Sequence, residues 1–348
     1  MDGQNRILSN LTANGSLDSL IDWIDSAGDP STHSHYFRIG STICSLRIGI
    51  YGIYREYLDR AFVRSDESSQ AEFEIDVKED NNYWNSPACE ELRRVLRTQI
   101  EVSYKGRKYL LAHNSYEEMI FIFDLDTSRV IILVGPEEIR NLACFVTPFR
   151  IAIDWLAQRN EAFVIHASVI AREGVGFILN GPSGSGKSTM AALAVKNGLN
   201  VVADDVAIVE RDSVSSIYRN AKVERSLGRA LFNTDYFFEL PKDSQGKVIV
   251  DLAKLPNTFR ERASLGSLIF PKVTGTNCVR SVTKVNALKM MAPNVMREVI
   301  GGTSLALAHM SQLVSNVSTH ELHLSENAEL GFEDLEKIID IRVAQIGG

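Results

Sequence analysis

A glycine-rich loop carries the most specific chemical pattern in the chain. Residues 181–188 read G-P-S-G-S-G-K-S and match the pattern G-x-x-x-x-G-K-[S/T]. Its glycines allow a tight turn whose backbone N–H groups point at phosphate oxygens, and a helix beginning near Lys187 adds its positive N-terminal dipole. In such a loop Lys187 reaches the β- and γ-phosphates, and the Ser188 hydroxyl occupies one Mg²⁺ position. The predicted nucleotide-binding residues are Gly181, Pro182, Ser183, Gly184, Ser185, Gly186, Lys187, Ser188 and Thr189.

Two adjacent carboxylates follow the next apolar run. Residues 199–203 predict a buried strand that ends at Asp204 and Asp205. Ligands of open α/β sheets bind beyond the carboxyl ends of strands, so one carboxylate can hold Mg²⁺ and the other can accept a proton from an attacking hydroxyl. The alternative is an Asp-Asp turn that only caps the strand. The neighbouring loop favours the functional interpretation.

The elements around the loop are those that a phosphate site requires. Residues 163–170 and 176–180 predict two strands, and 189–195 predict a helix that ends near Gly198. The order strand, loop, helix, strand indicates an α/β nucleotide-binding core. His166 lies at the centre of the first of these strands, where a lone histidine is by itself more typical of a buried core residue.

Three regions are predicted along the chain. Residues 1–32 are polar and predict a loosely ordered leader with one short helix at 17–24. Residues 33–145 alternate short strand-like runs with polar turns and predict a mainly antiparallel β region. Residues 146–348 carry the loop and predict the catalytic domain, so the fold class is α/β in the core and α+β overall.

Composition excludes several classes of protein. The net charge of −7 argues against non-specific nucleic-acid binding. Four scattered cysteines without a C-x-x-C pair favour reduced thiols over a disulfide framework or zinc site. No apolar run is long enough to span a bilayer, and the first residues lack the features of a signal peptide. We therefore expect a cytoplasmic protein without a membrane partner. Whether it forms a homo-oligomer stays open.

The stretch from 165 to 209 resembles the catalytic core of HPr kinase/phosphorylase and of the wider group of HPr-kinase-like proteins. In that family a histidine on a strand precedes a G-x-S-G-x-G-K-S loop, and a strand ending in A-D-D follows. Here His166, the loop and Ala203-Asp204-Asp205 occur in the same order with similar gaps. The resemblance implies a core like that of HPr kinase and phosphoenolpyruvate carboxykinase. It also implies a kinase that uses ATP and Mg²⁺ and acts on a hydroxyl.

The resemblance also implies roles for single residues. Asp204 would be the general base, with Asp205 assisting it or binding Mg²⁺, and His166 would hold or tune the aspartate. Lys187 would act in catalysis beside them. The family's Glu-x-Arg-Gly-Leu-Gly segment has its nearest counterpart at 223–228, where the register is shifted. The implied metal ligands are thus Ser188, Asp205 and Glu224.

A further likeness is to the divergent kinases found with peptide-modification systems, among them the lasso-peptide kinases. It implies a peptide or protein acceptor, with the N-terminal region recognising it. Two alternatives stay open: a kinase of a small hydroxylated metabolite, and a nucleotide-binding regulatory module without transfer activity. The complete set of Lys187, Ser188, Asp204 and Asp205 counts against the regulatory module.

Several other polar residues have weaker patterns. Lys222, Arg225 and Arg229 form a basic set that is equally consistent with stabilising a phosphoryl group and with a solvated surface. Lys272 follows a predicted strand and is a lesser candidate for contacting the nucleotide. His320 and His323 lie in an alternating segment that would place them on opposite faces of a strand, which disfavours a shared metal.

Overall fold

The computed structural model describes residues 10–26, 34–50, 53–65, 71–96, 99–137, 147–232, 235, 237–238, 246–255, 257–295 and 303–347. Over these residues the chain is a mixed α/β protein with several sheets. Its contacts divide it into two compact units: residues 1–59 with 64–145, and residues 60–63 with 146–348. No helix within the described part combines the length and the apolar character needed to cross a membrane.

The first unit is built on a seven-stranded sheet. Its strands lie in the order β1-β2-β3-β7-β6-β5-β4. Four of the six pairings are antiparallel, and the pairings of β3 with β2 and β7 are parallel. Their bounds are β1 Ser34–Ile39, β2 Thr42–Gly49, β3 Phe73–Glu79, β4 Ile100–Tyr104, β5 Arg107–Asn114, β6 Met119–Asp124 and β7 Arg129–Val134. Strands β4 and β5 form a hairpin around Gly106, and β6 and β7 form the next antiparallel pair.

Helices pack against this sheet and contact the strand side chains that point towards them. They are α1 Ser16–Ser26, α2 Ile53–Ala61, α3 Asn81–Trp84 and α4 Pro87–Val95. Leu17, Leu20 and Trp23 of α1 are buried in one cluster with residues of α4 and of β4 to β7. The burial of three large apolar side chains stabilises α1 substantially. Residues 10–26 of the segment expected to be a loose leader are therefore packed, and residues 1–9 and 27–32 lie outside the described part.

The second unit contains a nine-stranded mixed sheet with helices on both faces. Its main path is β11-β9-β10-β17-β13-β12-β8, and β19 and β18 extend it from β17. The strands are β8 Ala162–Ile165, β9 Ala167–Arg172, β10 Val175–Asn180, β11 Asn200–Ala203, β12 Ala207–Glu210, β13 Ser213–Ser216, β17 Arg262–Val273, β18 Cys278–Ser281 and β19 Ser318–Leu324. The antiparallel strand β9 lies between β10 and β11, which run in the same direction as each other.

Successive side chains of these strands point to opposite faces of the sheet, and each face carries its own apolar core. Val169 and Ile178 pack with α8 Lys284–Val295 and α9 Thr303–Asn316. Ile170 and Phe177 pack with α6 Lys187–Lys196 and α10 Ala328–Gly347. Because the sheet is buried on both faces, its strands are nearly continuous apolar runs, as the sequence shows.

A small third sheet packs on the far side of α6. It consists of β14 Asn220–Glu224, β15 Phe237–Phe238 and β16 Lys247–Asp251 in the order β14-β16-β15. Helix α7 Arg225–Leu231 follows β14 directly. Ala192 of α6 and Val223 and Val250 of this sheet share one apolar cluster. Helix α6 is therefore held from two sides.

The second unit also holds the helix that leads into the central sheet. Helix α5 Arg150–Arg159 matches the helix expected at 149–158 and is followed by β8. Phe62, from the short segment that joins this unit, lies with its ring centroid 6.2 Å from that of Phe149 and 5.4 Å from that of Tyr218. These aromatic contacts attach residues 60–63 to the start of α5.

One strand prediction is wrong in a way that bears on the site. The run 163–170 is not a single strand, because it breaks at His166 into β8 and β9. Strand β8 pairs with β12, whereas β9 pairs with β10 and β11. The two strands run in the same sense, and His166 lies where the chain changes its partners rather than at the centre of a strand.

Candidate active site

The glycine-rich loop spans the gap between β10 and α6. β10 ends at Asn180, and α6 begins at Lys187. Gly184 and Gly186 have φ angles of +79° and +102°, a region that residues with a Cβ rarely adopt. A Cβ on Gly186 would also lie 2.6 Å from Cδ1 of Leu324, the last residue of β19. The second of these glycines is therefore required by both conformation and space.

The side chain of Lys187 is folded back onto the loop. Its Nζ donates to the backbone oxygens of Gly181 at 2.7 Å and Pro182 at 3.0 Å. Burial lowers the pKa of this ammonium, while the charges of Asp204 and Asp205 act in the opposite direction. Both aspartates are thus close enough to Lys187 to influence its charge.

Asp204 is buried and accepts hydrogen bonds from three donors. Its Oδ1 accepts from the hydroxyls of Ser168 and Ser188, the latter at 3.0 Å. Its Oδ2 accepts from the backbone N–H of Lys222 at 3.2 Å. Burial raises the pKa of Asp204 above its ordinary value, and the neighbouring charge of Asp205 adds to this, against the three hydrogen bonds.

The burial of Asp204 has a visible cause. Asp204 and Ser188 border a cavity of about 20 Å³ whose other walls are apolar side chains of α6, β11, β14 and β16 and Phe232. Water and other polar groups therefore have little access to this side of the carboxylate. A buried carboxylate with a raised pKa accepts protons more readily than an exposed one.

Asp205 lies beside Asp204 in the opposite electrostatic environment. His166 Nδ1 lies 3.1 Å from its Oδ1, and Arg150 Nη2 and Lys222 Nζ both contact its Oδ2, the latter at 3.4 Å. Thr147 Oγ1 also donates to Oδ2, at 3.5 Å. Burial alone would raise the pKa of Asp205, but the His166 hydrogen bond and the charges of Arg150 and Lys222 hold it well below the usual range.

The backbone of Asp205 is unusual as well. Its φ of +79° lies in the left-handed region, which Asp tolerates better than most residues. This turn directs the two consecutive carboxylates to different partners: Asp204 to the two hydroxyls and Asp205 to the basic side chains. Adjacent aspartates in a regular strand would point to opposite faces of the sheet instead.

The donor set fits Mg²⁺ with a bound triphosphate. No group of three or more His, Cys, Asp or Glu that could hold a metal ion exists within the described residues. Mg²⁺ beside phosphates needs only one or two protein oxygens, because water and phosphate supply the rest. The Ser188 hydroxyl, which donates its proton in a hydrogen bond to Asp204, supplies such an oxygen. In addition, the buried Ser185 hydroxyl of the loop has no hydrogen-bond partner among the described residues, so a ligand oxygen has a donor there.

Comparison with known proteins gives distant structural likenesses. No protein-family model and no curated protein matches the chain. The chain is similar to the solved structure of the HPr(Ser) kinase/phosphatase from Coxiella burnetii, with 12% sequence identity over 53% of this chain and 99% of that one, and a TM-score of 0.29. We rest no functional conclusion on a likeness of this degree.

The structure brings most of the predicted site residues together. Ser188, Lys187, Asp204, Asp205 and His166 are joined by the contacts described above, and Lys222 joins them from β14. The remaining basic candidates, Arg225 and Arg229 of α7 and Lys272 of β17, stay predictions. His320 and His323 both lie on β19, as the alternating pattern indicated.

Glu224 occupies a different position from the one implied for a metal ligand. Its carboxylate caps α7, where it accepts from the backbone N–H of Ser226 at 3.1 Å and of Leu227 at 3.0 Å. These hydrogen bonds and that of the Ser226 hydroxyl lower its pKa. Its described contacts are therefore those of a helix cap.

Sequence reasoning missed three residues of the site. Arg150 and Thr147 come from the start of α5, and Ser168 comes from β9. Ser168 carries a weak signal, because a lone serine two residues beyond His166 interrupts an otherwise apolar strand. Arg150 carries none, since a basic residue in the first turn of a helix is common on any surface.

Proposed function

We propose that this protein is an ATP-dependent phosphotransferase that moves the γ-phosphoryl group of ATP to a serine or threonine hydroxyl of a peptide or protein. The observation that carries the proposal is the pair of contacts at Asp204 and Ser188: a buried carboxylate with a raised pKa hydrogen-bonded to the last residue of a phosphate-binding loop. Nucleotide-binding modules without transfer activity have no need for a proton acceptor at this position.

In the proposed reaction the loop and Lys187 hold the triphosphate. The Lys187 ammonium exchanges the carbonyl oxygens of Gly181 and Pro182 for phosphate oxygens. The Ser185 hydroxyl and the loop N–H groups are additional donors. Mg²⁺, when bound, neutralises charge on the phosphates, and the hydroxyl oxygen of Ser188, whose proton Asp204 accepts, is the group that would hold it.

Asp204 then acts as the general base. A carboxylate oxygen has two lone pairs, and Oδ1 already receives two hydroxyl donors. Oδ2 receives the Lys222 N–H, which leaves it one lone pair for the acceptor O–H. The acceptor oxygen forms a bond to the γ-phosphorus, the bond from that phosphorus to the β–γ bridging oxygen breaks, the acceptor proton goes to Oδ2 of Asp204, and ADP leaves.

Asp205 has a different part in this proposal. It holds Arg150, Lys222 and His166 in fixed positions beside the loop, and their surplus positive charge stabilises the transferring phosphoryl group. A divalent cation would be repelled by these side chains. We therefore assign Mg²⁺ to the Ser188 side of the site rather than to Asp205 or Glu224.

Transfer of label from γ-labelled ATP tests the proposal. The purified protein is incubated with Mg²⁺, labelled ATP and a lysate of its source cells, and the label is separated by size. The Asp204→Asn variant should keep nucleotide binding and lose transfer by about 100-fold or more, because general-base catalysis contributes that much. Asp212→Asn, an exposed aspartate of the same unit, is the matched control and should transfer normally.

The outcomes separate the alternatives. Label on a peptide or protein that is absent with Asp204→Asn supports the proposal and identifies the acceptor by mass spectrometry. Label on a new small molecule indicates a metabolite kinase instead. ATP that binds, in a manner lost in Lys187→Ala, without any transfer indicates a regulatory module. Full transfer by Asp204→Asn removes the general-base assignment.

A further inference from the structure

A serine outside the predicted motif contacts the proposed base. Ser168 lies in the interior of β9 and is completely buried. Its hydroxyl donates to Oδ1 of Asp204, the same oxygen that accepts from Ser188 at 3.0 Å. Oδ2 accepts only a backbone N–H, that of Lys222, among the described residues. The two hydroxyls therefore occupy both lone pairs of Oδ1, and Oδ2 keeps one lone pair that can accept a further hydrogen bond.

The two serines differ in how firmly they are held. Ser188 belongs to the first turn of α6, beside a loop that must rearrange when Lys187 exchanges its partners for phosphates. Ser168 lies in a strand that is hydrogen-bonded on both sides, with Leu179 of β10 opposite it and β11 on the other edge. Of the two serines, Ser168 is thus the one whose donor position is independent of the nucleotide.

We propose that Ser168 is a positioning residue that fixes the Asp204 carboxylate with Oδ2 directed at the acceptor hydroxyl. This inference rests on the proposed function, since it concerns the base of that reaction. It assigns the orientation of the base to a strand of the central sheet, whereas the loop and α6 bind the nucleotide. Ser188 is then free to serve phosphate and metal without releasing Asp204.

The groups around Asp204 define what removal of this hydroxyl should do. The charged groups that face it are Asp205 on the same segment, Lys187 of α6 and, through Asp205, the side chains of Lys222, Arg150 and His166. Burial and Asp205 raise the pKa of Asp204, and the hydrogen bonds from Ser168, Ser188 and Lys222 lower it. Loss of the Ser168 donor therefore leaves Oδ1 with the Ser188 hydroxyl as its one described donor and allows the carboxylate to turn.

Nucleotide binding separates the roles of the two serines without relying on turnover. The affinity for ATP with Mg²⁺ is measured by calorimetry in wild type, Ser168→Ala and Ser188→Ala. We expect an unchanged affinity in Ser168→Ala and weaker binding in Ser188→Ala, because only Ser188 lies in the loop-to-helix segment that binds phosphate and metal. Ser267→Ala is the matched control, because Ser267 is another buried serine of the same sheet whose hydroxyl contacts Ser318 at 2.7 Å instead.

The rate of phosphoryl transfer supplies the second readout. In Ser168→Ala the kcat should fall about tenfold, and KM for ATP should stay unchanged. Ser168→Thr, which keeps the hydroxyl, should restore kcat. If Ser168→Ala does not fold, Ser168→Cys keeps the size, weakens the donor and should give an intermediate kcat.

An unchanged kcat in a folded Ser168→Ala would overturn the inference and leave Ser168 a core residue. A loss of ATP affinity in Ser168→Ala equal to that in Ser188→Ala, or a fall of kcat that Ser168→Thr does not restore, overturns it as well, because neither pattern is that of a residue that only orients the base. Failure of the proposed function is distinct: wild type would then transfer no phosphoryl group at any pH. That result would remove the positioning role together with the reaction.

Discussion

Asp204 and Asp205 are neighbours in the sequence, yet their surroundings move their pKa values in opposite directions. Asp204 meets hydroxyl groups, a backbone N–H and an apolar cavity, so its pKa is raised. Asp205 meets Arg150, Lys222 and His166, so its pKa is lowered. Such divergence is typical of sites where one carboxylate transfers a proton and another holds a permanent charge.

Replacing the permanent charge should destabilise the protein in a pH-dependent way. Asp205→Asn keeps the size and tolerates the left-handed backbone, but it removes the negative charge that Arg150 and Lys222 contact. We expect a loss of about 2 kcal/mol at pH 7, below the cost of breaking a fully buried pair because these side chains are 16–26% exposed. Urea unfolding measures the difference.

The sign of the pH effect follows from the lowered pKa of Asp205. The contribution of its charge is complete above about pH 4 and is lost as the pH falls through the lower folded-state value. The difference between wild type and Asp205→Asn should thus shrink as the pH falls below about 4. Glu173→Gln, an exposed residue that also has a positive φ, is the control and should show little difference at any pH. A constant deficit for Asp205→Asn across pH would exclude the ion-pair explanation.

At the scale of elements, the site depends on the junction of the loop with β19. The loop glycine at 186 passes close to Leu324, and Gly331 of α10 approaches Leu324 from another direction. A Cβ on Gly331 would lie 2.5 Å from Cδ2 of Leu324. Two glycines therefore make room for one leucine, which packs the loop, β19 and α10 together.

A pair of alanine substitutions separates backbone conformation from this close packing. Gly184 and Gly186 both have positive φ, but a Cβ on Gly184 would meet no atom within 4 Å. We expect Gly184→Ala to cost about 1 kcal/mol from conformation alone. Gly186→Ala should cost about 1–3 kcal/mol more because of the clash, and should bind ATP at least tenfold more weakly. Urea unfolding and nucleotide titration measure both; equal effects of the two variants would show that the contact with Leu324 yields without cost.

The local signals in the sequence were sufficient for the elements that surround the loop. The apolar run 176–180, the loop and the following helix correspond to β10 and α6, and the run ending at Ala203 corresponds to β11. These elements depend on the residues of one short segment, through their propensities and turn residues, and such local patterns are visible in a single sequence. The break at His166 was missed because both halves of that run are apolar, and only the choice of sheet partner divides them.

The contacts that complete the site could not be predicted in this way. Arg150 and Asp205 are 55 residues apart, and Ser168 and Asp204 are 36 residues apart. Their meeting depends on the order of strands in the sheet, with β9 beside β11, and on the left-handed turn at Asp205. A pattern read along the chain contains neither. The assignment of Asp205 and Glu224 to metal came from resemblance alone and stays a prediction that the contacts of both residues disfavour.

At the scale of the whole molecule, all the described site residues belong to the second unit. The first unit contributes a separate sheet and core, with a polar network in which buried Asp76 is paired with Arg47 and Arg129. Nothing in the reaction proposed above requires it for nucleotide binding. Recognition of the acceptor by this unit stays a prediction, which the resemblance described in the sequence analysis implies.

Hydrogen exchange can assign these roles to the two units in the intact chain. Saturating ATP with Mg²⁺ stabilises the folded state to which it binds, by about 2.7 kcal/mol at 100 times Kd. We expect slower exchange in residues 181–190 and no change in β4 to β7, and the effect should vanish in Lys187→Ala. Protection confined to β4–β7 would place the nucleotide in the wrong unit. Adding the acceptor found by labelling should then slow exchange in the first unit, because a peptide that binds there restricts its sheet. If the acceptor protects residues of the second unit alone, the catalytic unit itself recognises it.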